Sequence, residues 1–209
     1  MLALQYPWKY ASVFEELCDF HVLDLAQGPS GWAEAVNSDK AVWLDSSSLA
    51  SPPEGCGEYS AVILPYFPDA GVNLLRCQNN YVKGTTNIGL WKNDRRFLRL
   101  MTEAVDMIAL HWTSHRNLHI SPEEACLYHA YEFCNLDELR RYPFRSLHTS
   151  VPVTAALYGI DLRLRERRPK NLPLFSYGLH LNDAQLELAY NNAKAIKEAM
   201  AYAHKHKTV

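Results

Sequence analysis

Two short apolar runs limit what this chain can fold into more than any other feature. They are KAVWLD, residues 40–45, and SAVILPYF, residues 60–67, and a loop-forming string rich in Ser, Pro and Gly connects them. Apolar runs of this length with such boundaries are typical of buried strands. Short helices are predicted at YASVFEELCDF and GPSGWAEAVNS, with a strand at HVLDLA between them. This order of elements predicts an α/β or α+β sheet with at least one covered face.

From about residue 94 the hydrophobic pattern becomes helical. Asp94 can cap a helix over residues 94–117, because apolar residues recur there at three- and four-residue steps. Ser121 and Glu124 have the spacing of a capping box, and the proline between them stands at the first helical position. The sequence therefore predicts a pair of helices over residues 94–117 and 122–141.

The rest of the chain completes a prediction for the whole fold. Asn182 or Asp183 is expected to cap a long terminal helix that reaches Met200, whereas IDLRLRE, residues 160–166, alternates like a half-exposed strand. A chain of 209 residues, 48% of them hydrophobic, can bury a sizeable core. We predict a single compact domain over residues 1–209, with a small sheet in a strand-rich α/β part (1–93) and a mainly helical part (94–209).

Composition removes several classes of protein from consideration. The net charge of −2 gives no overall bias toward nucleic acid or membranes. The N-terminal string MLALQYPWKYA lacks the apolar core of a secretory signal, and no run approaches the roughly 18 apolar residues of a membrane span. The five cysteines are scattered and form no CxxC motif, so a disulfide framework is not expected. A cytoplasmic location is the expectation, with no membrane partner.

Charge is nevertheless distributed unevenly along the chain. Residues 1–70 carry ten acidic and two basic side chains, a net −8, and the remainder carries a net +6. Such polarity can steer partners or substrates, and it can equally reflect two solvated faces.

The string HWTSHRNLHI, residues 111–120, contains three histidines at four-residue steps. On the predicted helix, His111 and His115 lie on the apolar side, and His129 has the matching inward position on the next helix. Two imidazoles from one helix and a third from a facing helix can bind zinc or non-haem iron. We therefore predict a divalent-metal site at His111, His115 and His129, with Glu132 as a further ligand or general base.

Two other interpretations of these histidines stay open. A structural site could use His115, His119, Cys126 and His129, whose side chains are all ligands that zinc accepts. A buried histidine group can also be satisfied by carbonyl or carboxylate groups without any metal. The zinc-protease motif itself does not match, because Trp112 stands where that motif has its glutamate.

A second candidate site lies in the polar segment RCQNNYVKGTTNIGLWKNDRRF. Basic residues crowd the start of the predicted helix, where the dipole would ordinarily favour acidic ones. We predict that Lys83, Lys92, Arg95 and Arg96 bind an anionic substrate group together with free backbone N–H groups. The KGTT string does not have the glycine spacing of a phosphate-binding P-loop. The alternative is a surface loop whose cations pair with the acidic first third of the chain.

Two further features carry weaker signals. Residues 140–170 contain eight basic and two acidic side chains, which makes contact with nucleic acid possible through Arg140–Lys170. That partner is not favoured, because the chain as a whole is not basic. Asp45 ends an apolar strand, at the position where α/β enzymes often place catalytic or ribose-binding acids.

These patterns together predict a metal-assisted hydrolase or phosphoesterase. Its substrate would be a small anionic molecule, with nucleotide-like compounds among the candidates, and the metal would polarise a bound water. The rival hypothesis is a non-catalytic binding protein that docks a protein or nucleic acid through its charged faces.

Overall fold

In a computed structural model of the protein, eight strands close into a barrel in which each strand neighbours the next along the chain. The structure describes residues 1–24, 41–45, 61–67, 72–76, 107–111, 119–131, 135–164, 175–176 and 178–206, and for the strands between 41 and 111 it describes the course of the backbone. The strands are β1 (Leu2–Gln5), β2 (Phe20–Asp24), β3 (Ala41–Asp45), β4 (Ala61–Phe67), β5 (Val72–Arg76), β6 (Met107–His111), β7 (Tyr128–Tyr131) and β8 (Ser146–Thr149). Pairing of β8 with β1 closes the ring.

Seven of these strands run in one direction and β5 runs in the other. β5 pairs antiparallel with β4 and β6, whereas every other neighbouring pair is parallel. The carboxyl ends of the seven parallel strands therefore meet at one end of the barrel, which we call the carboxyl-terminal mouth. β5 begins at that mouth and ends at the opposite end, where its last residue, Arg76, pairs with Val62 near the start of β4.

The two faces of the barrel can be told apart by what their residues contact. Successive residues of a strand lie on opposite faces. Leu2, Leu4 and Leu147 belong to the hydrophobic core that also contains the buried residues of the helices, so they lie on the outer face. Ala3 and Val22 are equally buried but are not part of that core, which places them on the inner face. The strand registers continue this inner face around the ring.

The helices flank the outer face. They are α1 (Ala11–Phe14), α2 (Pro122–Ala125), α3 (Leu136–Leu139), α4 (Val151–Leu157) and α5 (Asp183–Lys205), with single 3-10 turns at Trp8–Tyr10 and Leu162–Leu164. The long helix α5 packs chiefly on α4 and buries Ala189, Ala193 and Ile196. None of the helices in the described part of the chain combines the length and the apolar character needed to cross a lipid bilayer.

Several predictions from the sequence are confirmed. The strands expected at HVLDLA, KAVWLD and SAVILPYF are β2, β3 and β4. The terminal helix begins at Asp183 and is capped by Asn182, whose side chain accepts a hydrogen bond from the Gln185 N–H at 2.9 Å. The capping box is also present, because the Ser121 hydroxyl accepts from the Glu124 N–H at 3.3 Å and the Glu124 carboxylate accepts from the Ser121 N–H at 3.0 Å. The α/β class is therefore confirmed.

The sheet is not confined to the N-terminal half, and the predicted helix pair is wrong where the structure describes it. Met107–His111 is a strand, and the helix that starts at Pro122 ends at Ala125, before strand Tyr128–Tyr131. In β7, Tyr128 and Ala130 join the outer core while His129 lies on the inner face. Strands on both sides supply hydrogen-bonding partners, and this pairing outweighs the helical spacing of the apolar residues.

The strand predicted at residues 160–166 is also wrong, because Leu162–Leu164 forms a 3-10 turn. One local and one distant side chain hold this turn: the Arg163 N–H donates to the Asp161 carboxylate at 2.9 Å, and the Leu162 N–H donates to the Asn192 side chain of α5 at 2.9 Å. Side chains that bond nearby backbone groups in this way compete with strand pairing.

Asn192 gives a test of how α5 is fixed to the barrel. Its fully buried side chain accepts from the Leu162 N–H and donates to the Ile160 carbonyl, each at 2.9 Å. We expect Asn192→Ala to lower the free energy of unfolding by roughly 2–4 kcal/mol, because both backbone groups lose their partner. Urea denaturation at unchanged m-value measures the loss, with the exposed Lys194→Ala on the same helix as the control. A loss no larger than that of the control would contradict this account.

Candidate metal centre inside the barrel

Two buried histidines lie side by side on the inner face of the barrel. His129 is in β7 and pairs in register with Ser146 of β8, and His148 follows two residues later on the same strand. The register of β8 against β1 pairs His148 with Ala3, a residue of the inner face. Strand alternation therefore places His129, Ser146 and His148 together on that face.

The geometry of this pair is tight. The two imidazole rings stack with their centroids 5.7 Å apart and their planes inclined by 23°. A hydrogen bond of 2.8 Å joins His129 Nδ1 to the Ser146 hydroxyl oxygen. His129 and Ser146 have no exposed surface, and His148 is 2% exposed. The Ser146 bond fixes the orientation of the His129 ring.

Burial holds His129 in its neutral form. Desolvation moves the pKa of His129 well below its usual value of 6.5, and the neighbouring His148 and the positive N-terminal amine of Met1 act in the same direction. That amine is nearby because it donates to the Arg145 carbonyl, at 3.1 Å, just before β8. A neutral imidazole is the form that binds metal ions.

A third histidine occupies the same region of the sheet. His111 is the last residue of β6 and pairs with Tyr131 of β7, which in turn pairs with His148 of β8. His111 and His148 therefore share one row of the inner face, and His129 lies on the strand between them, two residues below Tyr131. Three consecutive strands thus bring three histidines to one part of the inner face.

Carboxylate residues occupy the carboxyl-terminal mouth of the barrel. Asp24 and Asp45 are the last residues of β2 and β3 and pair with each other in register. Both continue the inner face, since Val22 precedes Asp24 by two positions. In an eight-membered ring, β2 and β3 lie across the barrel from β6 and β7. The acids thus stand opposite the strands that carry His111 and His129.

The predicted site residues meet this geometry only in part. His111 and His129 lie on adjacent parallel strands, not on facing helices, and are two register positions apart. His115 and Glu132 lie outside the described residues, although Glu132 directly follows β7 in the sequence.

The four basic residues predicted to bind an anion, Lys83, Lys92, Arg95 and Arg96, also lie outside the described residues. The described strands on either side of their segment end with Arg76 and begin with Met107. Both of these residues lie at the amino-terminal end of the barrel, away from the mouth.

The alternative site of His115, His119, Cys126 and His129 does not form among its three described members, His119, Cys126 and His129. His119 is exposed in a left-handed conformation, with φ of 53°, and the Cys126 thiol bonds to the Glu123 carbonyl. His129, by contrast, is fully buried inside the ring. Among the described side chains, no three His, Cys, Asp or Glu residues are grouped closely enough to bind a metal; the His111 side chain is not among those described.

His148 is the residue that the sequence analysis missed. Its string, SLHT, carries no helical or motif signal, and it becomes informative only when β8 is paired with β7 and β1. Another buried histidine, His21, lies on the outer face and bonds to the Tyr6 hydroxyl, with the Cys18 sulfur 3.6 Å from its Nδ1. His21 is therefore part of the packing around β1 and β2 and not of the inner cluster.

Comparison of the chain with protein-family models, with curated proteins and with solved structures found no match.

The neutral His129 gives a prediction for pH dependence in the presence of a chelator. The pKa of His129 is depressed in the folded protein. Below about pH 6.5 the unfolded chain therefore binds a proton that the folded chain does not, and the free energy of unfolding decreases as the pH is lowered. The slope contributed by this residue approaches about 1.4 kcal/mol per pH unit.

We expect the stability difference between wild type and His129→Gln to shrink as pH falls from 7 to 5, measured by urea unfolding. The exposed His180→Gln, which retains His129, serves as the control variant. A difference for His129→Gln that is constant over this range would contradict the assignment.

Proposed function

We propose that the protein is a metal-dependent hydrolase whose metal ion is bound by His111, His129 and His148. The observation that carries this proposal is the stacked, buried imidazole pair of His129 and His148 on the inner face, with His111 in the same row of that face as His148. Three protein ligands with a water in the remaining position form the usual arrangement of catalytic zinc sites. His148 thus takes the place that the sequence analysis gave to His115.

The Ser146 contact favours a ligand over a purely structural histidine. In the tautomer whose Nδ1–H donates to the Ser146 hydroxyl, the Nε2 of His129 carries the lone pair. Metal-binding histidines commonly use one nitrogen for the metal and the other for such a supporting hydrogen bond. Complete burial keeps the ring neutral, and this avoids proton competition for the metal.

The carboxylates at the mouth supply the base. When bound, the metal would lower the pKa of a coordinated water and provide a hydroxide nucleophile near neutral pH. Asp45, across the barrel from the histidine strands, accepts the proton from that water, and Asp24 beside it keeps the mouth negative. Glu132 stays a second candidate base, because it directly follows β7 in the sequence.

The substrate class follows from charge and chemistry. A hydrolase with a divalent metal acts well on phosphoesters and other small anionic esters, whose charge the metal neutralises. Lys83, Lys92, Arg95 and Arg96 are the cations proposed to bind the substrate anion, and nucleotide-like esters are candidates among such substrates.

Metal content provides the direct test of this centre. We expect purified wild-type protein to carry close to one equivalent of zinc or iron, and His148→Ala to lose at least nine tenths of it. His180→Ala, an exposed position, should retain the wild-type content. Elemental analysis together with urea denaturation separates lost binding from lost folding, and a folded His148→Ala with full metal content would overturn the proposal.

Turnover of a panel of aryl phosphomonoesters and phosphodiesters tests the hydrolase assignment. We expect hydrolysis that chelator abolishes and added zinc or manganese restores. Asp45→Asn should lower kcat by about 100-fold or more while the metal content stays unchanged, because a general base contributes this much. A rate insensitive to both chelator and Asp45→Asn, or no turnover of any ester by the metal-loaded protein, would count against the assignment.

A further inference from the structure

A second concave site lies at the other end of the molecule. It is a groove of about 360 Å³ beside the C-terminal end of α5, and its walls include Glu123, Arg140, Arg141, Pro143, Tyr202 and His206. The residues contributed by α2 and by the segment after α3 precede β7 and β8, so they lie toward the amino-terminal end of the barrel. The groove is therefore distinct from the metal centre. Its size falls within the range of small-molecule sites.

One wall of the groove is aromatic. Tyr202 is 51% exposed, and its ring lies against His206 with the centroids 4.2 Å apart. The last turn of α5, which carries these rings, is fixed in place. His204 Nε2 bonds to the Phe144 carbonyl at 2.9 Å and so joins α5 to the segment that carries Arg141. A large exposed aromatic ring on an anchored helix end is a suitable platform for stacking a flat ligand.

The residues that α2 and the segment after α3 contribute carry the charge. Arg140 is engaged with Asp137 at 3.0 Å, whereas the exposed Arg141 has no ion pair with any described residue. Glu123, on the first turn of α2, is ionised, because the Ser121 hydroxyl and its own backbone N–H hold its pKa below the usual value. The groove therefore offers one uncommitted guanidinium, one carboxylate and a stacking surface.

We propose that this groove binds a nucleotide: the base stacks on the Tyr202–His206 pair, the phosphate binds Arg141, and the Glu123 carboxylate accepts hydrogen bonds from the base edge. Aromatic stacking combined with an arginine on the phosphate is a general way to bind unpaired nucleotides. An ionised carboxylate can only accept hydrogen bonds, and guanine presents two adjacent N–H donors to it. The site should therefore prefer guanine to uracil.

The proposal needs both chemical parts of the ligand. By isothermal titration calorimetry, guanosine monophosphate should bind at least ten times more tightly than guanosine or inorganic phosphate alone. Tyr202→Ala and Arg141→Ala should each raise its Kd at least tenfold. Tyr158→Ala and Arg163→Ala, an exposed aromatic and an exposed arginine that do not line the groove, should leave the Kd within twofold. Each variant is checked for folding by its urea midpoint.

Two additional comparisons complete the test. Guanosine monophosphate should bind more tightly than uridine monophosphate, and Glu123→Gln should reduce that ratio at least threefold. A guanine-containing RNA pentamer distinguishes the source of the ligand: tenfold tighter binding than the mononucleotide identifies a strand, and equal binding identifies a free nucleotide.

The proposal would be overturned if neither guanosine monophosphate nor the RNA pentamer bound. Binding that is unchanged in Tyr202→Ala and Arg141→Ala would also overturn it. Parallel titration of the His148→Ala protein should give the wild-type Kd. The groove and the metal centre can therefore fail independently of each other.

Discussion

The pairing of the first strand with the last is the contact on which the rest of the structure depends. β1 lies against β8 with Leu2 beside Leu147 and Ala3 beside His148. Once the ring is closed, every strand has one inner and one outer face, and the leucines must face the helices. The same closure brings the N-terminal amine to the Arg145 carbonyl, near enough to lower the pKa of His129. The fold and the protonation state of His129 thus both depend on the pairing of β1 with β8.

The pairing of β1 with β8 does not by itself account for the polar residues inside the barrel. An inner cluster of His129, Ser146 and His148 costs desolvation energy that apolar residues of similar size would not cost. The 2.8 Å hydrogen bond to Ser146 recovers part of that cost by satisfying one imidazole nitrogen. Neither packing nor ring closure requires imidazoles at these positions. The proposed role as metal ligands would give a reason for them that stability alone does not give.

The sequence predicted the secondary structure correctly where the apolar pattern matched one kind of element. It predicted it wrongly where the same pattern fitted both a helix and a strand. KAVWLD and SAVILPYF could be identified as strands because uninterrupted apolar runs of that length have few other uses. The region around His129 follows a true capping box and also matches a helical stripe, so both periodicities place His129 inward. His111 and His129 were therefore predicted on helices, whereas both lie in strands whose registers place them on the inner face. Asp24 and His148 required the strand registers, which depend on pairings between distant parts of the chain.

The two ends of the barrel differ because β5 runs opposite to the other seven strands, and the sequence alone could not indicate this reversal. In a ring of parallel strands every carboxyl end opens on the mouth, where Asp24, Asp45 and His111 stand. Because β5 runs the other way, it starts at the mouth, where Asn73 pairs with Ala109, and ends at the opposite end. The polar residues that the described strands bring to the mouth therefore stand at positions that the sheet itself fixes.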